Sequence, residues 1–155
     1  MKKCVCIIFA VFTAVLAMCA CGEQPVVLDA AALADQLANN ISFDDQLSEI
    51  EQNIITKIYD ISPDDFIKAK VYGSTGATPE EIAVFEAKDD AAAGRIETAL
   101  KERIENQKSS FKDYIPKEMP KLESPLLVIK GRCVILCISG HNDTAKNIIN
   151  NAIKK

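Results

Sequence analysis

The chain has 155 residues, of which 18 are basic and 22 acidic, for a formal charge of −4; it contains six cysteines, one histidine and no tryptophan. This balance excludes a nucleic-acid binder or an electrostatically held membrane protein, because an acidic body is repelled by phosphate backbones and by anionic headgroups. The length suits one domain with its own core.

Lys2 and Lys3 precede an apolar run from Cys4 to Ala20, which stops at Met18-Cys19-Ala20-Cys21-Gly22. A positive n-region, an apolar h-region and a small residue before the cleavage point are the marks of an export signal. The peptidase that processes lipoproteins must fit the residue before the acylated cysteine into a tight pocket, and Ala20 before Cys21 suits it whereas Met18 before Cys19 does not. The segment resembles the bacterial lipobox, with Met18 at the usual leucine position. The resemblance implies diacylglyceryl transfer to the Cys21 sulfur and cleavage before it, so residues 1–20 are expected to be a signal peptide and 21–28 a lipidated tether. The competing reading is an uncleaved anchor, since the run approaches the ~20 residues of a spanning helix. Both readings leave the lysines inside and the domain outside the cytoplasm. Without residues 1–20, 16 of the 18 basic residues face all 22 acidic ones, for a formal charge of −6. The expected contact with the membrane is therefore lipid at Cys21.

Removal of the signal takes Cys4, Cys6 and Cys19 with it, and lipid consumes Cys21, leaving Cys133 and Cys137. Both sit in Arg132-Cys-Val-Ile-Leu-Cys-Ile-Ser139, which reads as a strand. Positions four apart in a strand share a face at a spacing of ~13 Å, beyond the reach of a disulfide. They also cannot meet one metal ion, so they are expected to be reduced, buried, small hydrophobes.

Beyond the tether the domain is expected over residues 29–155. Asp29 predicts an N-cap for a helix to about Asn39, with Ala32, Leu33, Gln36 and Leu37 on one face. Leu47, Ile50, Ile54, Ile55 and Ile58 recur at helical spacing and predict a second helix ending near Tyr59, and Ile61-Ser-Pro-Asp-Asp65 reads as a turn. Phe66 to Tyr72 alternates, placing Ile67, Ala69 and Val71 on one face of a half-buried strand. Thr78-Pro-Glu-Glu81 carries a helix capping box, yet Ile82-Ala-Val-Phe85 is β-branched and aromatic, and Glu81 to Lys88 is read as a strand. Asp89-Asp90 predicts the cap of a helix to about Ser110, with Ala92, Ile96, Ala99, Leu100, Ile104 and Phe111 on its stripe and Arg95, Glu97, Lys101, Glu102 and Glu105 solvated. Leu126–Ile129 and Cys133–Ile138 flank Lys130-Gly131, read as a two-residue hairpin turn. Asn142-Asp143-Thr144 opens a last helix with Ile148, Ile149 and Ile153 toward the sheet. The order α-α-β-β-α-β-β-α predicts a single α+β domain with a four-stranded antiparallel sheet packed with helices.

The stretch Gly76-Ala-Thr-Pro-Glu-Glu-Ile-Ala-Val-Phe-Glu-Ala-Lys88, with Gln107, Phe111-Lys-Asp-Tyr114, Pro116-Lys-Glu118 and Lys130-Gly131 downstream, resembles the lipoproteins of the domain-of-unknown-function family DUF4358 of Gram-positive bacteria. The resemblance implies a small extracytoplasmic lipoprotein with no assigned activity and transfers no catalytic residue.

The sole cluster of reactive types is Ser139-Gly-His141-Asn-Asp143. Triads are assembled from distant segments, and three residues on one strand-to-helix turn rarely orient a base onto a nucleophile. His141 and Asp143 are better read as loop and N-cap residues. No phosphate loop, His-Glu-x-x-His or zinc spacing occurs. The acidic pairs Asp44-Asp45, Asp64-Asp65, Glu80-Glu81 and Asp89-Asp90 read mostly as helix-start and turn residues; a weak calcium site at one of them stays open, without an EF-hand pattern. The expected function is a membrane-tethered, non-catalytic binding or interaction module without a cofactor, meeting a protein or small molecule in the cell envelope. The rival is an extracytoplasmic hydrolase using Ser139 and His141. A wall-spanning structural lipoprotein is disfavoured by the lack of repeats.

Overall fold

The computed structural model describes residues 28–153, so the signal segment, Cys21 and nearly all of the tether lie outside the described residues. The elements run α1 (Ala30–Asn40), β1 (Ser48–Glu49), α2 (Gln52–Tyr59), β2 (Phe66–Gly73), β3 (Glu81–Ala87), α3 (Asp90–Tyr114), α4 (Met119–Glu123), β4 (Leu126–Lys130), β5 (Cys133–Ile138) and α5 (Asn142–Ile153). One antiparallel sheet has the order β1-β2-β3-β5-β4. It has five strands rather than four, and the chain adds β1 and the short α4 to the expected order.

The sheet is covered on both faces. Strand alternation sends Val71, Ala83, Phe85, Val134, Leu136 and Ile138 into one core with α2, α3 and Leu122 of α4. It sends Ile82, Val84, Cys133, Ile135 and Cys137 into a second core with Leu33 and Leu37 of α1 and Ala145 and Ile149 of α5. Every residue of β5 is buried, as is every residue of β3 except the half-buried Glu86. Such near-continuous apolar runs are what a sheet sandwiched between helix layers demands.

Two of the caps expected from the sequence, Asp29 and Asp89, are in place. Asp29 accepts from the amides of Ala31 and Ala32 at 3.1 and 3.3 Å, and Asp89 accepts from the Ala92 amide at 2.7 Å. Each satisfies donors that the first helical turn leaves without partners. The buried face of α1 is Ala30, Leu33, Ala34 and Leu37, so Ala32 and Gln36 are exposed, against expectation. The α3 helix runs four residues past Ser110, to Tyr114.

The second helix does not begin at Leu47. Ile50 N donates to Val71 O at 2.9 Å, which keeps the chain bonded to β2 until Glu51. The close approach there explains Gly73, where a Cβ would stand 2.9 Å from Ile50 Cδ1. In β2 the register shifts between Phe66 and Lys68, leaving Ile67 as the extra residue of a bulge. The bulge turns Phe66 into the first core and leaves Ile67 53 % exposed, reversing its expected placement. The β4–β5 turn is Gly131-Arg132, one residue later than expected, since Lys130 pairs with Cys133. Gly131 has φ +54°, the left-handed conformation that the first central position of such a turn favours. Asp143 lies inside the first turn of α5 rather than at its cap.

Cys133 and Cys137 are free and buried, as expected. Burial pushes their thiols up, to about 12 for Cys133, where Glu86 adds to the effect, and to about 11 for Cys137. Thiolate is the reactive form. At pH 8 a thiol reagent is therefore expected to leave both residues unmodified in the folded protein and to label both after denaturation. Peptide mass mapping reads the result, and native labelling at the rate of a free peptide thiol would contradict the burial.

Candidate functional site

Two buried carboxylate networks gather at one end of the sheet, where the β2–β3 loop meets α2, α3 and α4. Strand β3 enters this end through two consecutive glutamates, each 2 % exposed, and each carboxylate is answered by a separate network. Glu80-Glu81 is thus not a helix-start or turn pair of the expected kind but a buried pair at the start of a strand.

Glu81 Oε1 accepts from Tyr59 Oη at 2.7 Å. Its Oε2 accepts from Arg103 Nε at 3.2 Å, Arg103 Nη2 at 2.7 Å and Gln107 Nε2 at 3.0 Å. A buried carboxylate persists when its lone pairs are filled and its charge is matched, and four donors including a guanidinium do both. Burial, and then the Glu81 charge beside it, pushes the Tyr59 phenol well above its usual range, so it stays a donor.

Glu80 Oε2 accepts from the Asp44 and Asp45 amides at 2.9 and 3.0 Å and from Thr78 Oγ1 at 3.0 Å. Its Oε1 meets Lys121 Nζ at 3.0 Å, and the same ammonium lies 2.6 Å from Asp44 Oδ2 and 2.8 Å from Glu118 Oε2. The Glu118 contact is an ion pair without an aligned hydrogen bond. Burial alone would depress the Lys121 ammonium, but Asp44, Glu118 and Glu80 outweigh it and hold its pKa above the ordinary value. Three carboxylates converge here on one ammonium. The network ties the loop before β1, the β2–β3 loop and α4 together.

Beside the Glu81 network opens a cleft of about 290 Å³. Ile50, Ile58 and Phe111 form apolar walls, while Arg103, Asn106 and Gln107 supply polar groups along α3. Gln107 is 5 % exposed and its Oε1 has no partner among the described residues. An unpaired buried acceptor costs on the order of 1–3 kcal/mol, so the Gln107 Oε1 at the cleft is a group that a donor in the cleft would satisfy. Apolar walls with a few convergent polar groups are the composition of a ligand site.

The Ser139 cluster has a different geometry. Ser139 is buried and its Oγ accepts from the His141 backbone amide at 3.1 Å, whereas His141 and Asp143 are exposed. Among the described residues no hydrogen bond joins the Ser139 hydroxyl to the His141 ring. The three side chains are near in sequence without being assembled. No three His, Cys, Asp or Glu side chains among the described residues are grouped as a metal site. No described helix is long and apolar enough to cross a membrane.

The cleft residues carried one readable signal. On the α3 stripe Ile96, Leu100, Ile104 and Phe111, the apolar row is interrupted at Gln107, and a polar residue on a buried stripe needs a buried partner. Nothing in sequence spacing links Gln107 or Arg103 to Glu81 and Tyr59.

Fold and site together define a small α+β domain, one antiparallel sheet between two helix layers, with buried charge networks and an open cleft at one sheet end. The chain belongs to the family described as domain of unknown function DUF4358, whose model matches residues 39–139. That span holds the whole sheet and α2 to α4, and leaves out nearly all of α1 and the whole of α5. Neither the curated proteins nor the solved structures contain a match to it.

Proposed function

We propose that this protein is a Gram-positive envelope lipoprotein, cleaved before Cys21 and held by lipid on the outer face of the cell membrane, which binds a partner through the α2–α3 cleft and performs no catalysis. The observation that carries the binding role is the cleft itself, where the Arg103 guanidinium and the Asn106 amide stand beside Ile50, Ile58 and Phe111. A ligand suited to it carries a hydrogen-bond acceptor next to an apolar group. Support for the anchor comes from Ala20-Cys21-Gly22 after a full h-region. Two acyl chains give stable attachment where one does not.

The test uses the full chain in native membranes. A photo-crosslinking residue at Asn106, on the cleft rim, is expected to give a discrete adduct that the same residue at Lys146, on exposed α5, does not. Ser110→Trp, which fills the cleft from its exposed edge, is expected to abolish the adduct with the melting temperature unchanged. Cys21→Ser is expected to release the chain from membranes or to leave an uncleaved precursor; fatty-acid labelling that persists in this variant and vanishes in Cys19→Ser would move the anchor to Cys19. Hydrolytic turnover lost in both Ser139→Ala and His141→Ala, with folding intact, would replace the binding module by the hydrolase.

A further inference from the structure

Among the described residues the sheet ends on β4, and no strand pairs with the outer side of β4. The two-residue turn fixes its alternation: Lys130 pairs with Cys133, so Lys130, Val128 and Leu126 exchange hydrogen bonds with β5 while Leu127 and Ile129 present their N–H and C=O groups outward. The opposite side of β5 agrees, since Arg132 O faces the other way and accepts from Ala87 N at 2.7 Å. Among the described residues no backbone partner meets the outward groups of Leu127 or Ile129.

Exposed edges are normally guarded by shortness, lysines, proline, a bulge or a cover. The other end of this sheet is guarded: β1 has two residues, and the stretch of β2 beyond it carries a bulge, Lys68 and Lys70. In contrast, β4 is Leu-Leu-Val-Ile-Lys in unbroken register, with one lysine at the turn and Ile129 41 % exposed.

We propose that β4 is a self-association edge, pairing antiparallel with β4 of a second copy about a two-fold axis through Val128. In this register Leu127 faces Ile129 of the second copy and Ile129 faces its Leu127, and the outward backbone groups of both residues are satisfied by each other. Val128 meets Val128 of the second copy at a non-hydrogen-bonded position. Lys130 falls opposite Leu126 of the second copy, and the two lysines stand about 14 Å apart, so no like charges oppose each other. The strand is complementary to itself, which a two-fold contact requires. Because the far edge of each sheet is the guarded one, the pairing closes at two copies and gives a ten-stranded sheet without a long free edge.

The full chain in detergent is expected to sediment as a dimer of domains. Ile129→Pro removes an outward N–H without touching a bond to β5, and it is expected to raise the dimer dissociation constant about tenfold or more, while the melting temperatures compared at concentrations where both proteins are monomeric stay equal. The register is read by oxidation. Opposed residues at a non-hydrogen-bonded position lie ~4.5 Å apart between Cα atoms, within disulfide reach, so Val128→Cys is expected to form a covalent dimer above the background of the unsubstituted chain, and Lys130→Cys is not. A monomer at all concentrations overturns the proposal, as does a dimer indifferent to Ile129→Pro that gives no Val128→Cys link. Val128→Cys capture of a different protein in native membranes, without self-linkage, would show instead that the edge receives a foreign strand.

Discussion

Phe85→Ala is expected to lower the unfolding free energy by about 4 kcal/mol, within the range for truncating a buried phenylalanine. Phe85 is fully buried at the centre of β3, with Tyr59 edge-on at 5.6 Å and 88° and Phe66 at 5.7 Å and 70°. Edge-to-face pairs add to area burial, and both are lost together. The site cannot collapse to refill the space, because Tyr59 is held at its far end by Glu81 and Phe66 by the bulged start of β2. Chemical denaturation should show a lower midpoint at an unchanged slope. A loss below about 1.5 kcal/mol would mean that the core rearranges around the cavity, contrary to the fixed position of Tyr59.

Lys121→Met is expected to cost about 3 kcal/mol, the lower end of the range for removing one partner of a buried ion pair, because Asp44 is 73 % exposed and keeps one side of the network in water. The variant leaves Glu80 and Glu118 as buried carboxylates without their shared cation. Neutralising them in Glu80→Gln/Glu118→Gln/Lys121→Met should recover part of the loss, since the residual penalty is mainly charge. The pH dependence has a defined sign on both sides. The Lys121 pKa is raised in the fold, so its contribution is full below the ordinary 10.5 and falls as pH rises through the folded value. Asp44 is lowered, first by its hydrogen bond from Lys121, so its contribution is present above the ordinary 3.8 and falls as pH drops through the folded value. Removing Lys121 should flatten the alkaline limb of the stability curve; an unchanged limb would place the alkaline sensitivity elsewhere, among Lys70, Tyr59, Tyr72, Cys133 and Cys137, which are also raised in the fold.

The parts of this fold that were legible in the sequence are those where one residue's surroundings are set by its near neighbours. Asp89 and the Ile96–Leu100–Ile104 row define α3 because cap chemistry and a 3.6-residue period are both local. Strand β3 was legible against a capping box because Ile82, Val84 and Phe85 outweigh it. Where the deciding contact is distant, the sequence is silent. Strand β1 is two exposed residues whose strand character comes from Tyr72 and Gly73, while Leu47 and Ile50 mimic the spacing of the helix that follows. Ile67 is displaced by a bulge whose cause is the register against Glu86 and Ala87. The α1 face is hard to read because Ala30 and Ala34 carry too little apolar contrast to mark it against Ala32. The buried charges were the least visible. A glutamate next to a proline looks the same whether water or a lysine 41 positions along the chain receives it.

The pairing of β3 with β5 sets the tempo of folding. Ala83 lies opposite Leu136, so the two central strands are joined across about fifty residues, and such distant contacts form slowly because the loop between them must close first. Most of that loop is α3, a local structure able to form early and shorten the gap. The α1 helix is in the reverse position. It comes first in the chain, yet Leu33 and Leu37 pack in a core whose other members include Ile135, Cys137 and Ile149. Its partners arrive in two stages as the chain emerges from its N-terminus: β2 and β3, on which α1 chiefly packs, come first, and α5 closes the layer last.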